Sequence, residues 1–460
     1  MLRQVSVIIL TLPFFFACQS GPEQEKSQYS DTLSLHEEVY TELVDNLLIV
    51  WYPRTIDSIY GGFLTNFSHD WQRMESQEKM IVTQARHLWT LSKAAQMFPE
   101  EGMYAEAATH AYNFLRDKMW DQQDGGFYWL LDREGNPLAS NIDNKLKRVY
   151  GNAFGVYALA AYYAMSGEEE ALEFAQKAFR WIDEHAHDPK NSGYFSTLTK
   201  DGVVIDSSMF QQDLPSPTYF YKDQNTSIHL LEAFTELYHV WPDELLEERL
   251  REMFHLIRDR MVSEQGYLRL YFYDNWQPIS YKDSTAAVRE ANYAVDHVSF
   301  GHDIETAYLL LEASEALEEY EYQTTLNRAR QMVDHTIANG IDTVRSGILE
   351  RGYYLPENEQ LSIVDDRKNW WSQAEGLNSL YLFSTFYPED STYQKEFDRL
   401  WKYTKTYIID HENGGWYSNG LDTHSSSKQD RKAHIWKGNY HNARTLFNLL
   451  RMTERRGEHS

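Results

Sequence analysis

The chain has a single cysteine, Cys18, among its 460 residues, so it can form no internal disulfide. Basic residues are also few, because 43 Lys and Arg stand against 69 Asp and Glu and give a formal net charge of −26. No cluster of Lys and Arg interrupts this acidic balance. A surface of this kind is a poor partner for nucleic acid or for anionic lipid.

Linkers rich in proline or serine are missing too. Length alone would allow two or three domains. Because no such linker divides the chain, we predict one catalytic domain over residues 31–456. Aromatic residues are plentiful by contrast, with 13 Trp, 32 Tyr and 22 Phe. Their flat faces suit stacking on sugar rings, although most of them must also fill a large core.

An apolar run lies near the very beginning of the chain. One early cation, Arg3, precedes an apolar stretch from Val5 to Phe16, which ends in Ala17 and Cys18. This pattern predicts a secretory signal whose apolar part is too short to remain as a membrane helix. The position of the cysteine is similar to that of the lipid-bearing residue of bacterial lipoproteins.

We therefore expect residues 1–18 to be a lipoprotein-type signal with lipid attachment at Cys18, followed by a flexible tether over residues 19–30. The protein is then exported and anchored to a membrane, facing the periplasm or the cell surface. An ordinary signal peptide cut nearby is the alternative. Any contact with a membrane is expected only through this anchor.

A glycine followed by an apolar, usually aromatic residue recurs six times at a regular spacing. From Gly62 to Gly415 there are 353 residues in five steps, or about 71 residues per unit. A period of this length, repeated six times, is typical of helix pairs that close into a ring. The six turns are Gly61-Gly62-Phe63, Gly125-Gly126-Phe127, Gly193-Tyr194-Phe195, Gly266-Tyr267-Leu268, Gly347-Ile348-Leu349 and Gly414-Gly415-Trp416.

The stretch after each turn reads as two helices of different character. The first is apolar nearly all round: residues 149–165 contain no charged side chain, and residues 370–386 contain only Glu375. A helix without a polar face must be covered on every side. The second is amphipathic, as in residues 103–118, and belongs on the outside. The sequence therefore predicts an all-α fold, an (α/α)6 barrel or toroid of six helix pairs.

The predicted helix bounds follow from this pattern and from glycine and proline punctuation. Inner helices are expected near residues 78–97, 149–165, 225–240, 301–318, 370–386 and 439–452. Outer helices are expected near residues 33–50, 103–118, 168–186, 243–262, 321–338 and 390–410.

Polar residues on the apolar inner helices are few, and they lie near the helix N-termini. All inner helices of such a ring run the same way, so these ends converge on one mouth. We therefore expect a shared pocket that contains Arg86, His229, His302, Glu375 and His441. Imidazoles can take and return a proton near neutral pH. A carboxylate three residues on, as in His302 with Glu305 and in His229 with Glu232, can face the same side and orient the ring.

Three alternatives remain at this point. His and Glu at helical spacing could ligate iron or zinc, although bridging carboxylates are not evident. A glycoside hydrolase on the same barrel would need two carboxylates that flank the bond, for which Asp121, Asp124, Asp365 and Asp366 are available in loops. A surface glycan-binding lipoprotein is disfavoured, because three histidines and an arginine exceed what binding requires.

The motifs resemble those of the N-acylglucosamine 2-epimerase superfamily, and within it the cellobiose and mannobiose 2-epimerases. The resemblance runs from about Trp51 to Arg451. It depends on Gln84-Ala85-Arg86 with Trp89, Asn225-Thr226 with His229, Gly301-His302-Asp303-Ile304-Glu305, Trp370-Trp371 with Gln373-Ala374-Glu375, and Tyr440-His441-Asn442 with Arg444. Glycine is usual in the family where Ala443 stands, but no proposed acid or base departs from the pattern.

The resemblance implies epimerisation at C2 of a reducing-end sugar, through ring opening and a cis-enediolate, without a cofactor or metal. It implies that His302 and His441 exchange the C2 proton. His229 would bind the enediolate or help to open the ring, and Arg86 would stabilise the oxyanion. Substrate binding is implied for Asn225, Glu305, Trp370, Trp371, Glu375, Trp436 and Tyr150. The expected partner is an oligosaccharide, and the expected oligomeric state is a monomer. N-acylglucosamine epimerisation or aldose–ketose isomerisation on the same site remains the alternative.

Overall fold

The computed structural model describes residues 33–138, 145–205, 222–318, 320–356 and 360–457. The described chain is mostly helical. Its α-helices are α1 Leu35–Thr41, α2 Ile49–Trp51, α3 Ile81–Met97, α4 Gly102–Phe114, α5 Val149–Ser166, α6 Glu169–Ala186, α7 Gln224–Val240, α8 Glu244–His255, α9 Ala286–Asp296, α10 Phe300–Ala316, α11 Tyr322–Gly340, α12 Trp370–Phe386, α13 Ser391–Tyr407 and α14 Tyr440–Gly457. Three outer helices contain π-helical segments, Glu42–Leu48, Leu115–Met119 and Leu256–Met261.

Six helices form a closed inner ring, and six others cover it. The inner helices are α3, α5, α7, α10, α12 and α14; each packs against the next, and α14 returns to α3. Each also packs against one outer helix, and the N-terminal helix α1 covers α14 at the point of closure. Thirteen of the 18 residues of α5 and 12 of the 17 residues of α12 are buried, as expected for helices without a polar face. The predicted (α/α)6 barrel is therefore confirmed.

The described residues also form nine short strands, four of which run directly into inner helices. They are β1 Lys79–Met80, β2 Leu130–Leu131, β3 Leu146–Arg148, β4 Thr197–Thr199, β5 Lys222–Asp223, β6 Tyr271–Phe272, β7 Val298–Ser299, β8 Arg351–Tyr354 and β9 Leu361–Asp365. The pairs are β1 with β2, β3 with β4, β5 with β6, and the three-stranded sheet β7-β8-β9. Since β1, β3, β5 and β7 each run into an inner helix, these sheets mark the end of the barrel where the inner helices begin.

The six glycine turns share one geometry. In each of them an apolar residue of the turn forms a β-bridge with a residue that follows the preceding outer helix, as in Ile56 with Phe63 and Ile409 with Trp416. Gly62 has a φ of +64°, and a Cβ at this position would stand 2.6 Å from Oε1 of Gln84. Glycine is therefore required there for two reasons, its left-handed backbone and the close approach of the glutamine.

A buried lysine anchors five of the six turns. Each lysine lies near the beginning of an inner helix and binds the aspartate that opens the turn. The pairs are Lys79–Asp57 at 3.0 Å, Lys147–Asp121 at 3.0 Å, Lys222–Asp188 at 2.7 Å, Lys368–Asp342 at 2.7 Å, and Lys432–Asp410. In the fourth unit Ser263 occupies the position of the aspartate. This ionic repeat accompanies the glycine repeat and was not predicted.

Helix α9 was not predicted either. The predicted bounds followed from a strict alternation of inner and outer helices, and α9 belongs to neither set. It lies between β6 and β7, and Arg289 is its only buried residue in the described chain. The predicted signal, Cys18 and the tether lie outside the described residues. Within the described part of the chain, no helix combines the length and the apolar character needed to cross a membrane.

Candidate active site

The N-terminal ends of the inner helices carry the polar side chains that the sequence singled out. His229 lies in α7, His302 in α10, Glu375 in α12 and His441 in α14, each within the first two turns of its helix. Trp371 joins two of them, because the centroid of its ring lies 4.7 Å from that of His302 and 5.7 Å from that of His441. The structure therefore brings these residues together at one mouth of the barrel.

Each of the three histidines has its Nδ1 atom held by a different partner. Nδ1 of His229 lies 2.8 Å from Oε2 of Glu232, as the spacing of three residues predicts. Nδ1 of His441 lies 2.6 Å from Oε1 of Glu375, which belongs to the neighbouring inner helix.

The third histidine is held by a hydroxyl group instead. Nδ1 of His302 lies 2.8 Å from Oγ of Ser299, the residue that immediately precedes α10. Ser299 makes no side-chain capping bond to its own helix. For all three rings, no residue within the described ranges hydrogen-bonds Nε2, so that nitrogen remains available to a substrate.

The expected pairing of His302 with Glu305 is wrong. Glu305 Oε1 accepts a hydrogen bond of 2.5 Å from Nη2 of Arg444 instead. The buried guanidinium competes for the carboxylate more effectively than a neutral imidazole, because a charge-assisted hydrogen bond is the stronger one. His302 is left with Ser299, a partner outside the i, i+3 pattern.

Arg444 is the centre of a buried ionic network below the histidines. Its Nη2 also donates to Oε1 of Glu375 at 2.7 Å, and its Nη1 donates to Oε1 of Glu232 and to the hydroxyl of Tyr440. The two carboxylates that orient His229 and His441 therefore share one cation with Glu305. Truncation of such a cation would leave three buried carboxylates without their partner, which is strongly unfavourable.

The pKa values follow from this burial and charge. Burial and, to a smaller degree, the charges of neighbouring histidines and Arg351 lower the pKa of His302 to about 3. Burial also lowers the pKa of His441 well below its usual range, with Arg86 as the next cause. Burial alone would raise the pKa of Glu232, but Arg444 and His229 together lower it to about 2. Both proposed acid/base rings are thus neutral near pH 7, and the carboxylate beside His229 is ionised.

Arg86 provides a positive charge beside the histidines. Its guanidinium lies 4.4 Å from the ring centroid of Phe154 and 4.9 Å from that of Tyr440, and Nη2 donates a 3.3 Å hydrogen bond to the hydroxyl of Tyr150. The ring of Tyr150 in turn lies 5.3 Å from that of His229. Within the described ranges Arg86 forms no ion pair, so its charge is free to act on an oxyanion.

Two glutamines of the quoted motifs serve the fold and not the site. Gln84 accepts from the backbone N–H of Phe63 at 2.8 Å and donates to its carbonyl at 3.0 Å. Gln373 makes the same two bonds to Ile348 at 2.7 and 2.9 Å. Asp303 accepts from the backbone N–H of Leu268 at 2.8 Å. These side chains hold the turns against the inner helices and thereby position the histidines next to them.

Two cavities open at the mouth, one on each side of Trp436. The larger, of about 780 Å³, is lined by Trp370, Trp371 and Trp436 among others. The smaller, of about 390 Å³, is lined by Tyr150, Asn225 and Trp436. Trp436 is 48% exposed, so its face is open to a ligand, and aromatic faces of this kind suit the C–H face of a sugar. The seven residues implied as substrate-binding therefore divide between these cavities and the Arg444 network.

The geometry argues against the two chemical alternatives. Glu305, Glu375 and His441 are close enough together to hold a metal ion, but Nη2 of Arg444 already binds both carboxylates there, so the site does not fit a metal. Two of the carboxylates available for hydrolysis, Asp121 and Asp365, are already paired with cations.

Asp121 pairs with the buried Lys147, and Asp365 binds Arg367 through both oxygens. A general acid must hold and release a proton, and a carboxylate paired in this way is poorly suited to that role.

Several residues of the site were not predicted from the sequence or were given no role. Trp129 lines the smaller cavity, with its ring 5.9 Å from that of Trp436. In the sequence it follows one of the repeated glycine turns, and nothing there distinguishes it as a binding residue. Ser299 precedes an inner helix and gave no signal of its own. Arg444 was part of the C-terminal motif, and its position three residues after His441 could have marked it as a partner for the same carboxylates.

An (α/α)6 barrel whose mouth places oriented histidines beside tryptophan-lined cavities has the side chains that proton transfer on a sugar-like substrate requires. The model of the N-acylglucosamine 2-epimerase (GlcNAc 2-epimerase) family matches residues 61–444. The chain therefore belongs to the N-acylglucosamine 2-epimerase family, and it is an enzyme of the isomerase class.

Individual relatives are similar along almost their whole length. The chain is 29% identical over 418 residues to the cellobiose 2-epimerase of Bacteroides fragilis, which covers 90% of this chain and 98% of the relative. The solved structure of cellobiose 2-epimerase from Spirochaeta thermophila has a TM-score of 0.76 at 28% identity and covers 91% of this chain and 96% of its own. That from Bacillus thermoamylovorans has a TM-score of 0.75 at 26% identity, with 90% and 98% covered.

Proposed function

We propose that the protein is a sugar 2-epimerase that interconverts reducing-end glucose and mannose of β-1,4-linked disaccharides, cellobiose or mannobiose. The observation that carries this proposal is the pair formed by His302 and His441, which both lie against the ring of Trp371 and each have Nδ1 already bound. The names of the similar proteins support the same reaction and substrate class.

The C2 proton becomes acidic only in the open-chain aldehyde, so the ring must open first. His229 and Tyr150 lie beside Arg86, where they are placed to assist this step. One histidine then removes the C2 proton and leaves a cis-enediolate, and the second histidine returns a proton to the opposite face of C2. Arg86 stabilises the oxyanion at O1, since its charge is not used by a carboxylate in the described chain.

Hydrogen bonding at Nδ1 decides what each ring can do. Arg444 donates to Oε1 of Glu375 and favours its carboxylate form, which can only accept, so Glu375 holds the proton of His441 on Nδ1 and leaves Nε2 as a base. A serine hydroxyl can donate or accept, so Ser299 allows His302 either tautomer. This difference suits a reaction in which one ring takes a proton while the other gives one, in both directions.

Proton NMR in D2O tests the proposal. Cellobiose and β-1,4-mannobiose are each incubated with the protein, and the C2 proton signal of the reducing sugar is followed. Loss of that signal together with the appearance of the C2 epimer supports the proposal and ranks the substrates. Appearance of a ketose would instead identify aldose–ketose isomerisation on the same site, and new reducing ends would identify hydrolysis.

We also propose that the enzyme acts outside the cytoplasm as a lipoprotein anchored at Cys18. The support is the order of Arg3, the apolar run from Val5 to Phe16 and the single cysteine after Ala17. An exported enzyme of this kind would act on oligosaccharides before their uptake.

A further inference from the structure

The larger mouth cavity has an electrostatic character that neutral disaccharides do not require. Three arginines line it, Arg351, Arg367 and Arg431, together with two carboxylates, Glu350 and Asp430. The chain as a whole carries 69 acidic and 43 basic residues, so an excess of arginine in one cavity runs against its composition. Binding of a neutral disaccharide does not explain the positive charge of this cavity.

Arg351 is the least satisfied of these cations. Its closest carboxylate oxygen is Oε1 of Glu350, which lies 3.9 Å from Nε and is beyond hydrogen-bond distance. Among the described residues, Nε of Arg351 has no hydrogen-bond partner, and neither has Oε2 of Glu350. Within the described ranges no side-chain hydrogen bond of Arg351 is found, although 34% of the side chain is exposed to the cavity mouth.

The other charged side chains that line the cavity have hydrogen-bond partners in the protein, or, for Glu350, a pKa that burial raises. Arg367 binds Asp365 through both carboxylate oxygens, and Nη1 of Arg431 donates to Oδ1 of Asn66 at 3.2 Å. Asp430 accepts a 2.7 Å hydrogen bond from Ser427, and burial raises the pKa of Glu350. Within the described ranges Arg351 is therefore the arginine of this cavity whose side chain has no hydrogen bond to the protein.

Arg351 also stands close to the reacting atoms. In the sheet β7-β8 its Cα is paired with that of Ser299, whose hydroxyl binds His302. Trp371 lines the same cavity and lies against both proposed acid/base histidines. A disaccharide whose reducing end reaches the histidines can therefore place its second sugar in this cavity, beside Arg351.

We infer that Arg351 determines specificity by binding a carboxylate on the second sugar, so that acidic disaccharides with a uronic acid linked to the reducing-end hexose are preferred substrates. The inference rests on the proposed epimerisation and extends it to the substrate class. A guanidinium matches a carboxylate in a planar, two-point arrangement that a hydroxyl cannot reproduce. Trp370 lines the same cavity, and its buried Nε1 finds no hydrogen-bond partner among the described residues.

The experiment compares kcat/KM for cellobiose and for cellobiouronic acid, β-1,4-glucuronosyl-glucose, by the rate of C2-proton loss in D2O. The wild-type protein is expected to favour the acid by about tenfold at low salt, and this preference should shrink as ionic strength rises. In Arg351→Gln the ratio of the two kcat/KM values should fall by about tenfold. Arg367→Gln is the matched control, because that guanidinium is already held by Asp365, and its ratio should change much less.

The outcomes separate this inference from the proposed function. If neither sugar loses its C2 proton, the proposed function fails. If cellobiose reacts as well as the acid in the wild-type protein, the epimerase survives and the assignment of Arg351 is overturned. Equal ratios for Arg351→Gln and Arg367→Gln would overturn it too. Should Arg351→Gln fail to fold, Arg351→Lys keeps the charge but loses the planar fork, and it is expected to give an intermediate ratio.

Discussion

Oε1 of Glu375 on α12 lies 2.6 Å from Nδ1 of His441 on α14, and the same oxygen accepts a 2.7 Å hydrogen bond from Arg444. Burial raises the pKa of Glu375, while Arg444 acts against that rise and favours the carboxylate. The carboxylate thereby holds the proton of His441 on Nδ1 and exposes Nε2 as a base. Glu375 is in this sense a positioning residue.

Glu375→Gln should lower kcat by about 10- to 100-fold while changing KM by less than about threefold, since the amide can present its N–H to Nδ1 and trap the wrong tautomer. Steady-state kinetics on cellobiose measure kcat and KM separately. Glu315→Gln, an exposed position on α10, is the control and should leave both constants unchanged. A variant that raises KM with an unchanged kcat would show that Glu375 binds substrate and does not position His441.

His302→Ala and His441→Ala should each lower the rate of epimerisation by about 10²- to 10⁴-fold, because each removes the base for one face of C2. Each variant should still exchange the C2 proton slowly with only one of the two epimers, the one whose proton faces the remaining histidine. Deuterium incorporation into the glucose and mannose forms, followed separately, measures this. His239→Ala is the control, since it lies on α7 ten residues after His229 and at the opposite end of the barrel. Near-normal turnover in either test variant would remove that histidine from the mechanism.

Arg444→Met should lower the free energy of unfolding by about 3–5 kcal/mol, because it leaves Glu232, Glu305 and Glu375 buried without their shared cation. Urea denaturation at pH 7.5 measures the change. Arg260→Met at an exposed position should cost less than about 0.5 kcal/mol. Similar losses in the two variants would mean that the network contributes little to stability.

Stability should depend on pH through His87, whose pKa is lowered to about 3 by burial. The unfolded chain binds a proton at this residue near pH 6.5 and the folded chain does not, so the unfolded state gains protons as the pH falls below about 6.5. Folding is thereby destabilised by about 2 kcal/mol at pH 5 relative to pH 8. The full contribution is present above about pH 6.5 and is lost progressively toward pH 3.

The comparison variant for this effect is His87→Gln, which can keep a hydrogen bond to the hydroxyl of Tyr52 but does not titrate. Its loss of stability between pH 8 and pH 5 should be about 2 kcal/mol smaller than that of the wild-type protein. His239→Gln, at an exposed position, should follow the wild-type curve. Parallel curves for all three proteins would contradict the low pKa of His87.

Cys18 is expected to carry a lipid. After expression of the full chain in a bacterium fed with an alkyne-tagged fatty acid, the label should appear on the wild-type protein in the membrane fraction. Cys18→Ala should lose the label and leave the membrane fraction. Label-free wild-type protein, shortened at its N-terminus and soluble after export, would instead favour an ordinary signal peptide.

The regular sequence period is enough to determine the architecture. Six glycine turns, inner helices without a polar face and amphipathic outer helices leave a closed ring as the arrangement that buries every apolar face, and the observed helices lie within a few residues of the predicted bounds. The convergence of His229, His302 and His441 followed from the common direction of the inner helices. Spacing within one helix also determined the partner of His229.

The partners that cross between helices were decided only by the tertiary structure. His441 finds Glu375 and Arg444 finds Glu305 over separations of 66 and 139 residues, and local spacing carries no information about such pairs. The competition between Arg444 and His302 for Glu305 was likewise settled by which charges the closed ring buries together, because an ionised carboxylate in the core requires the strongest partner within reach. Arg351 is a further case. The closed ring decides where the neighbouring carboxylates lie, and none of the described ones lies within hydrogen-bond distance of this guanidinium.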